Sequence, residues 1–169
     1  MKSSYEELFD NLTTEKAIIA YLKSKKWHIS CGESCTGGMI ISRLIGVSGA
    51  SDVIGESHVT YSVEAKNKLL KVPFEVVEDK GVVSSEVARL MVIGLHELTK
   101  AEVCVSVTGF AGRDTEERTE NDGLCYFGIK IKDEIYVSSY TAKGNRNESR
   151  VLQSGYILKM VLEKLKTFC

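Results

Sequence analysis

Residues 33–38 read Glu-Ser-Cys-Thr-Gly-Gly, so three candidate nucleophiles stand side by side in front of two glycines. The hydroxyls of Ser34 and Thr36 and the thiol of Cys35 are all groups that attack carbonyl carbons in acyl-transfer enzymes. Main-chain N–H groups in the same turn could hold the oxyanion of such a reaction, each contributing about 3 kcal/mol at the transition state. One interpretation of this segment is therefore an acyl-transfer site.

Two other interpretations of the segment remain open. It could be a tight strand-to-helix turn in which Ser34 or Thr36 caps the helix and the glycines allow close packing. It could also be an anion cradle, since the N–H groups of Thr36, Gly37 and Gly38 would sit at a positive helix end. The segment lacks the spacing and the lysine of a Walker motif, which argues against use of a nucleoside triphosphate.

A serine nucleophile needs a base, and the sequence offers a lysine more readily than a histidine. His28, His58 and His96 fall in predicted regular elements without a triad arrangement. Lys66 follows the predicted strand end at Tyr61 by little more than one helical turn and could point back into a strand-end cleft. Burial would have to lower its pKa from about 10.4 to near 7, at a cost of about 4 kcal/mol. The competing interpretation is a lysine that faces water.

The cysteines favour neither a disulfide framework nor a metal site. Five are present, and most lie in apolar segments, which is typical of reduced thiols. Cys31 and Cys35 lack C-x-x-C spacing, and no His/Cys cluster has zinc-ligand spacing. We expect free thiols, no metal and no cofactor, with Cys35 a weaker nucleophile candidate than Ser34. The remaining cysteines are Cys104, Cys125 and Cys169.

The elements around these residues alternate between strand and helix. Residues 27–34 predict a strand, 36–47 a helix, and 52–61 an extended segment in which Gly55 indicates a bulge or close backbone approach. Ser62 can cap a helix that must end before Pro73, the single proline.

Two further helices have clear apolar repeats. One runs from Thr14 to about Lys26, with Thr13 or Thr14 as its cap. The most regular helix opens at Ser84 or Ser85. Its predicted buried face consists of Val87, Leu90, Met91, Gly94, Leu95 and Leu98.

The second half of the chain predicts a central strand, a hairpin and a last helix. The strand covers 102–110, a polar surface loop covers 112–122, and two alternating strands are split by Lys132-Asp133. The final amphipathic helix covers about 147–166. The whole pattern predicts a three-layer α/β/α sandwich with a mixed, mostly parallel sheet of about five strands, with ligands at the carboxyl ends of the strands.

Composition limits the possible partners. The 169 residues include 22 basic and 23 acidic side chains, a net charge of -1, so no global field attracts nucleic acid or an anionic membrane. No apolar run reaches the length of a signal peptide core or a membrane span. We expect a single cytoplasmic domain over residues 1–169, with 1–13 as an N-terminal extension.

Several segments together resemble one known family. ESCTGGMIISRLIGVSGAS, VTYSVEAKNKLLKVP, GVVSSEVARLM, VSVTGFAG and GNR occur in the order and spacing of the family formed by the CinA C-terminal domain and the nicotinamide-nucleotide amidase PncC. The similarity runs from about residue 14 to the end. It implies an α/β/α domain that hydrolyses the carboxamide of nicotinamide mononucleotide to nicotinate mononucleotide and ammonia, without a metal, in pyridine nucleotide salvage.

The same resemblance implies roles for individual residues. Ser34 would be the nucleophile and Lys66 the general base, with Tyr61 near this dyad. Arg146 is suited to a phosphate or a carboxylate. The substrate-binding residues implied by the resemblance and the motifs are Glu33, Thr36, Gly37, Gly38, Thr108, Gly109 and Arg146.

The chain departs from the family pattern at several points. Charged residues fill 113–118, where the family has a proline- and glycine-rich loop, Val63 stands where asparagine is common, and Asn145 replaces an aspartate. The alternative hypothesis is a non-catalytic nucleotide-binding module linked to competence or the DNA-damage response. The resemblance and the apolar faces of the terminal helices also predict a homo-oligomer.

Overall fold

The structure is a computed structural model that describes residues 11–112 and 121–168. Within these ranges the chain forms six α-helices and a short 3-10 turn at Ala50–Asp52. The helices are α1 (Thr13–Lys25), α2 (Met39–Ile45), α3 (Val63–Leu70), α4 (Phe74–Lys80), α5 (Ser85–Thr99) and α6 (Arg146–Leu165). None of these described helices has the combined length and hydropathy needed to cross a bilayer.

Five strands form a single mixed sheet in the order β2-β1-β3-β4-β5. β1 is parallel to both of its neighbours, while β4 is antiparallel to β3 and to β5. All strands except β4 therefore run in one direction, which confirms the predicted mixed, mostly parallel sheet. The strands are β1 (Ile29–Glu33), β2 (His58–Val59), β3 (Val103–Gly109), β4 (Leu124–Ile131) and β5 (Glu134–Thr141).

Helices cover both faces of the sheet, which accounts for the two apolar clusters. Side chains of α1, α2 and α6 pack with β1, β3 and β4 in the larger cluster. Side chains of α3 and α5 pack with Cys104 of β3 in the smaller one. Because β1 is enclosed on both faces, each of its five residues is buried. The three-layer α/β/α prediction is confirmed.

The topology brings three strand ends to one edge of the sheet. β1, β2 and β3 are parallel, so their carboxyl ends at Glu33, Val59 and Gly109 point the same way. The chain returns from β2 to the far side of β1 to form β3, and such a switch point opens a crevice between the strand ends. The loops that follow these three strands can therefore meet.

Local signals placed several boundaries correctly. Ser62 caps α3 by accepting the N–H of Ala65 at 3.1 Å, and Ser84 caps α5. The hairpin turns at Lys132-Asp133 as predicted. Cys31, Cys35, Cys104 and Cys125 are free and buried, whereas Cys169 lies outside the described residues.

The first two predicted helices begin differently from expectation. Neither Thr13 nor Thr14 caps α1, whose N-cap is Leu12 without a side-chain bond. α2 begins at Met39 rather than at Thr36, because Gly37 and Gly38 have positive φ angles of 59° and 90° that a right-handed helix cannot contain.

The middle of the chain differs in detail from what the sequence predicts. The predicted extended segment 52–61 contains the two-residue β2 and a single parallel bridge between Ile54 and Ile29. A Cβ on Gly55 would meet nothing within 4 Å, so close backbone approach does not explain this glycine. Helix α4 after Pro73 was not anticipated, since its short sequence has no apolar repeat. Leu98, assigned to the buried face of α5, is 42% exposed because it lies in the last turn, beyond the sheet.

Candidate active site

The side chains of Ser34 and Lys66 meet at the carboxyl edge of the sheet. Ser34 directly follows β1, and Lys66 lies in the second turn of α3, the helix that follows β2. Lys66 Nζ lies 3.0 Å from Ser34 Oγ. The lysine is 0% exposed and is among the largest fully buried side chains of the described residues. Lys66 therefore turns back toward the strand ends, as one of the two interpretations of the sequence predicts, and it does not face solvent.

Two main-chain carbonyls complete the surroundings of the amine. Lys66 Nζ donates to Thr60 O at 2.8 Å and lies 3.3 Å from Tyr61 O. A neutral amine has two hydrogens and one lone pair. In the ammonium form the third hydrogen is donated to Ser34 Oγ, whereas in the neutral form, with both hydrogens donated to the carbonyls, the lone pair would face the Ser34 hydroxyl.

Burial also favours the neutral form of this amine. Loss of solvation lowers the pKa of Lys66 from 10.5 to about 8, and the nearby Cys35 acts in the opposite direction. A desolvated charge is costly, and the two carbonyl dipoles do not supply the countercharge that would restore an ordinary pKa. The amine is thus poised to exchange a proton near neutral pH.

Glu33 is buried and acts within the protein rather than on the cavity. Its carboxylate accepts the Thr36 hydroxyl at 2.5 Å and the N–H groups of Gly38, Ile40 and Ile41 at 3.0, 3.1 and 2.9 Å. The three N–H groups lie at the start of α2, so the carboxylate caps the positive end of that helix. Glu33 therefore holds the turn that carries Ser34.

This cap argues against the anion-cradle interpretation of the same turn, while the substrate-binding assignment of its residues stays a prediction. The N–H of Gly38 is taken by Glu33, and the N–H of Gly37 donates to Ser34 O at 3.0 Å. None of Glu33, Thr36, Gly37 and Gly38 is among the described residues that line the cavity beside the dyad. The predicted cap by Ser34 or Thr36 is also wrong, since the N-cap position is Gly38 and the acceptor is Glu33.

A cavity of about 430 Å³ opens above the dyad. Its size lies in the range of small-molecule sites. The loops after β1, β2 and β3 all contribute to it, together with the segment before α5 and the start of α6. The described residues that line it are Ser34, Cys35, Tyr61, Lys66, Val82, Val83, Thr108, Gly109, Phe110, Ala111, Gly112, Asn121, Asp122 and Arg146.

Thr108 and Gly109 line the cavity, but the threonine hydroxyl is already engaged. It donates to Val82 O at 2.7 Å and so ties the end of β3 to the segment before α5. A side chain at position 109 would collide with Cys125, whose Cβ lies 2.5 Å from an ideal Cβ there. Both residues shape the wall, and neither contacts the dyad through a side-chain hydrogen bond.

Tyr61 and Arg146 form a second polar group at the cavity. Arg146 donates to Tyr61 Oη at 3.1 Å and to Gly112 O at 3.0 Å. The Tyr61 side chain is 61% exposed, and its contact with Lys66 is made through the main-chain carbonyl. The structure therefore places the phenol beside the guanidinium and not beside the amine, because the side chain points away from the strand end.

The other candidate nucleophile and bases fit the chemistry less well. Burial raises the pKa of the Cys35 thiol to about 12, which keeps it protonated at neutral pH. His28, His58 and His96 are absent from the described cavity lining. Within residues 11–112 and 121–168, no group of three His, Cys, Asp or Glu side chains could hold a metal ion.

Several residues of the site have no functional signal in the sequence. Thr60 acts through its carbonyl, for which a sequence carries no signal. Val82 and Val83 belong to a segment that carries the family resemblance, but the sequence assigns them no role. Asn121 and Asp122 had been placed in a surface loop, whereas the return of the chain to β4 brings them to the cavity.

Comparison with known sequences places the chain in a family. The family model of the CinA C-terminal domain matches residues 11–165, nearly the whole chain. The chain belongs to the CinA C-terminal domain family. A CinA-like protein of Fusobacterium nucleatum is 44% identical over 146 residues, which cover 85% of this chain and 35% of that protein. A protein of Caldicellulosiruptor bescii named as competence-damage inducible is 37% identical over 156 residues, which cover 92% of this chain and 38% of that protein.

Solved structures of the same family have the same fold. The competence/damage inducible protein of Agrobacterium tumefaciens superposes with a TM-score of 0.85 at 28% identity, covering 92% of this chain and 94% of the other. A CinA superfamily protein of Escherichia coli superposes with a TM-score of 0.83 at 26% identity, covering 96% and 93%. The chain thus spans well under half of the curated relatives it matches but nearly all of these solved chains.

Proposed function

We propose that the chain is an amidohydrolase that converts nicotinamide mononucleotide to nicotinate mononucleotide and ammonia with a Ser34–Lys66 dyad. The observation that carries the proposal is the 3.0 Å contact between Ser34 Oγ and Lys66 Nζ, made by a lysine whose pKa burial lowers to about 8. Serine and an unprotonated lysine are a known nucleophile and base combination in acyl transfer.

The reaction begins with attack of Ser34 Oγ on the carboxamide carbon. Lys66 accepts the hydroxyl proton as the new C–O bond forms, and then passes this proton to the departing nitrogen, which leaves as ammonia. A water molecule next attacks the acyl-enzyme and gives a proton to Lys66. The acyl C–O bond breaks, the proton returns to Ser34, and the carboxylate product leaves.

The tetrahedral intermediate needs donors other than those predicted first. Gly37 and Gly38 donate within the protein, whereas Cys35, the residue after the nucleophile, lines the cavity. The N–H of the residue after a nucleophile commonly belongs to the oxyanion hole. We assign the oxyanion to the N–H group of Cys35.

Arg146 supports a substrate that carries a phosphate. Its guanidinium lines the same cavity as the dyad and is fixed by Tyr61 Oη and Gly112 O. A guanidinium binds a phosphate through paired hydrogen bonds, and those with Tyr61 and Gly112 pre-orient it. A mononucleotide would then place its carboxamide at Ser34 and its phosphate at Arg146.

The test is ammonia release from nicotinamide mononucleotide by the purified chain. Ser34→Ala and Lys66→Ala should each lower kcat/KM by at least about a thousandfold, since a nucleophile and its base act as a unit. Lys68→Ala, on the exposed face of the same helix, is the matched control and should retain activity. Wild-type turnover by either dyad variant would refute the proposal.

The alternative, a nucleotide-binding module without chemistry, draws on the relatives' names, which mention competence and damage rather than a reaction. Two of the three N–H groups of its predicted anion cradle are already engaged, that of Gly38 by Glu33 and that of Gly37 by Ser34 O, which weakens this alternative. Calorimetry that detects binding of nicotinamide mononucleotide, combined with chromatography that detects no product, would favour this alternative over the amidohydrolase.

A further inference from the structure

Gln153 of α6 joins two chain segments that the sequence separates. The segments are the loop stems, which we define as residues 110–112 and 121–123. Gln153 is 0% exposed, and its Nε2 donates to Phe110 O at 3.2 Å and to Gly123 O at 2.9 Å. Both amide hydrogens of one side chain are therefore spent on main-chain carbonyls, one in each stem.

The stems are also paired with each other and with β5. Phe110 N–H donates to Leu124 O, Gly123 N–H donates to Phe110 O, and Ala142 N–H donates to Gly123 O. Each of the two carbonyls that Gln153 binds thus accepts a second hydrogen bond. The side chain of Gln153 links both stems to helix α6, and Arg146 at the start of the same helix adds a second link to the first stem.

The loop stems form one wall of the cavity. Ala111, Gly112, Asn121 and Asp122 all line it. Gly112 O also accepts the hydrogen bond from Arg146 Nη1 at 3.0 Å. The position of the guanidinium consequently depends on where the first stem lies, and this stem is tied to the same helix that carries Arg146.

A buried glutamine at this position is not explained by packing. Gln153 Oε1 has no hydrogen-bond partner within the described residues. A buried acceptor without a partner costs stability, and an apolar side chain of similar shape would avoid that cost. The gain from Gln153 must lie in what its amide N–H groups hold in place.

We propose that Gln153 is a positioning residue that holds the loop stems against α6 and thereby sets the place of the Arg146 guanidinium. It then controls affinity for the phosphate-bearing part of the substrate and not the chemistry at the carboxamide. This inference rests on the proposed amidohydrolase function.

The experiment compares nicotinamide mononucleotide with nicotinamide riboside, which lacks the phosphate. Gln153→Met keeps the length of the side chain and removes both donors. We expect the KM for the mononucleotide to rise about tenfold, with kcat and the KM for the riboside changed by less than about twofold, since a displaced binding group costs affinity where it binds. An unchanged ratio of the two KM values would overturn the proposal.

A matched control and a second variant keep the outcome interpretable. Leu152→Met changes the adjacent, exposed residue of α6 and should leave both KM values unchanged. If Gln153→Met does not fold by circular dichroism, Gln153→Glu is measured in the same way, because its carboxylate keeps the shape but repels the two carbonyls. The same loss of selectivity is expected, and its absence would overturn the proposal.

A readout independent of turnover separates this inference from the proposed function. In Gln153→Met, hydrogen exchange at the amides of Phe110, Gly123 and Leu124 should accelerate about tenfold, while exchange in α5 stays unchanged. If the wild-type chain hydrolyses neither substrate, the proposed function fails, and the exchange result alone decides whether Gln153 holds the stems. Unaltered exchange at all three amides would refute that role.

Discussion

Burial of Lys66 between Ser34 and two main-chain carbonyls changes an ordinarily charged residue into a base. The amine has a pKa of about 8 because it has lost its solvation, and the neutral form has its two hydrogens matched to Thr60 O and Tyr61 O. Only the neutral amine can take the Ser34 proton, so activity should follow its titration.

The expected pH profile rises toward alkaline pH. Since the neutral fraction of Lys66 increases with pH, kcat/KM for ammonia release should climb about tenfold per pH unit below about 8 and level off above it. Lys66→Arg should be inactive throughout, because a guanidinium stays protonated. Lys68→Arg, on the exposed face of the helix, should keep the wild-type profile. A flat wild-type profile would contradict the assignment of Lys66 as the base.

Cys35 should be dispensable for the reaction. Burial raises the pKa of its thiol to about 12, so almost no thiolate exists at neutral pH. Cys35→Ser should retain kcat/KM within about threefold, in ammonia release assays run beside Ser34→Ala. Loss of activity in Cys35→Ser together with activity in Ser34→Ala would make the thiol the nucleophile.

At the scale of elements, contact between α3 and α5 holds the base in place. Gly94 of α5 lies under the end of α3, and an ideal Cβ there would stand 1.8 Å from Leu70 O. α3 is only eight residues long, so it depends on this packing more than on its own helical propensity. Close approach of the two helices fixes the distance of Lys66 from Ser34.

Gly94→Ala should therefore destabilise the chain by about 3 kcal/mol, because the added methyl group forces the helices apart. Gly55→Ala is the matched control, since a Cβ at position 55 meets nothing within 4 Å. Urea unfolding followed by circular dichroism measures both. Equal unfolding midpoints for the two variants would contradict the prediction, because they would show that α3 and α5 can move apart without loss of stability.

At the scale of the whole molecule, the buried lysine lowers stability. The folded-state pKa of about 8 lies below the ordinary value of 10.5, so the unfolded chain binds more protons between these two pH values. Stability should therefore rise with pH across this window. Below about pH 8 both states are protonated and the cost is present in full.

Lys66→Met isolates this effect because all other titrating groups are shared. Between pH 8 and 10.5, the wild type should gain about 3 kcal/mol of unfolding free energy relative to Lys66→Met, since each pKa unit corresponds to about 1.4 kcal/mol. Urea unfolding of both proteins at several pH values is the measurement. Parallel pH dependences would mean that Lys66 has an ordinary pKa.

The predicted homo-oligomer concerns the helical layer formed by α1, α2 and α6. Ile45 of α2 and Leu152 of α6 are 60% and 42% exposed, respectively. We expect light scattering coupled to size-exclusion chromatography to give a mass that is a multiple of 18.7 kDa. A mass of one chain over the micromolar range would contradict this prediction, and Leu152→Lys should shift an oligomer toward monomer.

Much of the fold could be predicted because the signals are local. Periodic apolar residues and serine caps identify α3 and α5, and alternating residues around Lys132-Asp133 identify the hairpin. The short helix α4 was missed, since seven residues are too few for a period to stand out, and the length of β2 was overestimated.

The sequence by itself determined the layer order of the domain and the identity of Ser34 and Lys66 as candidates, because residue type, spacing and family motifs are written in it. Only the tertiary structure decided what surrounds them. Thr60 acts through a carbonyl, Glu33 closes the helix end that had been assigned to a substrate, and Tyr61 turns to Arg146 instead of the lysine. Such partners depend on three parallel strands that end at one edge, and contacts across that edge have no pattern in the linear chain.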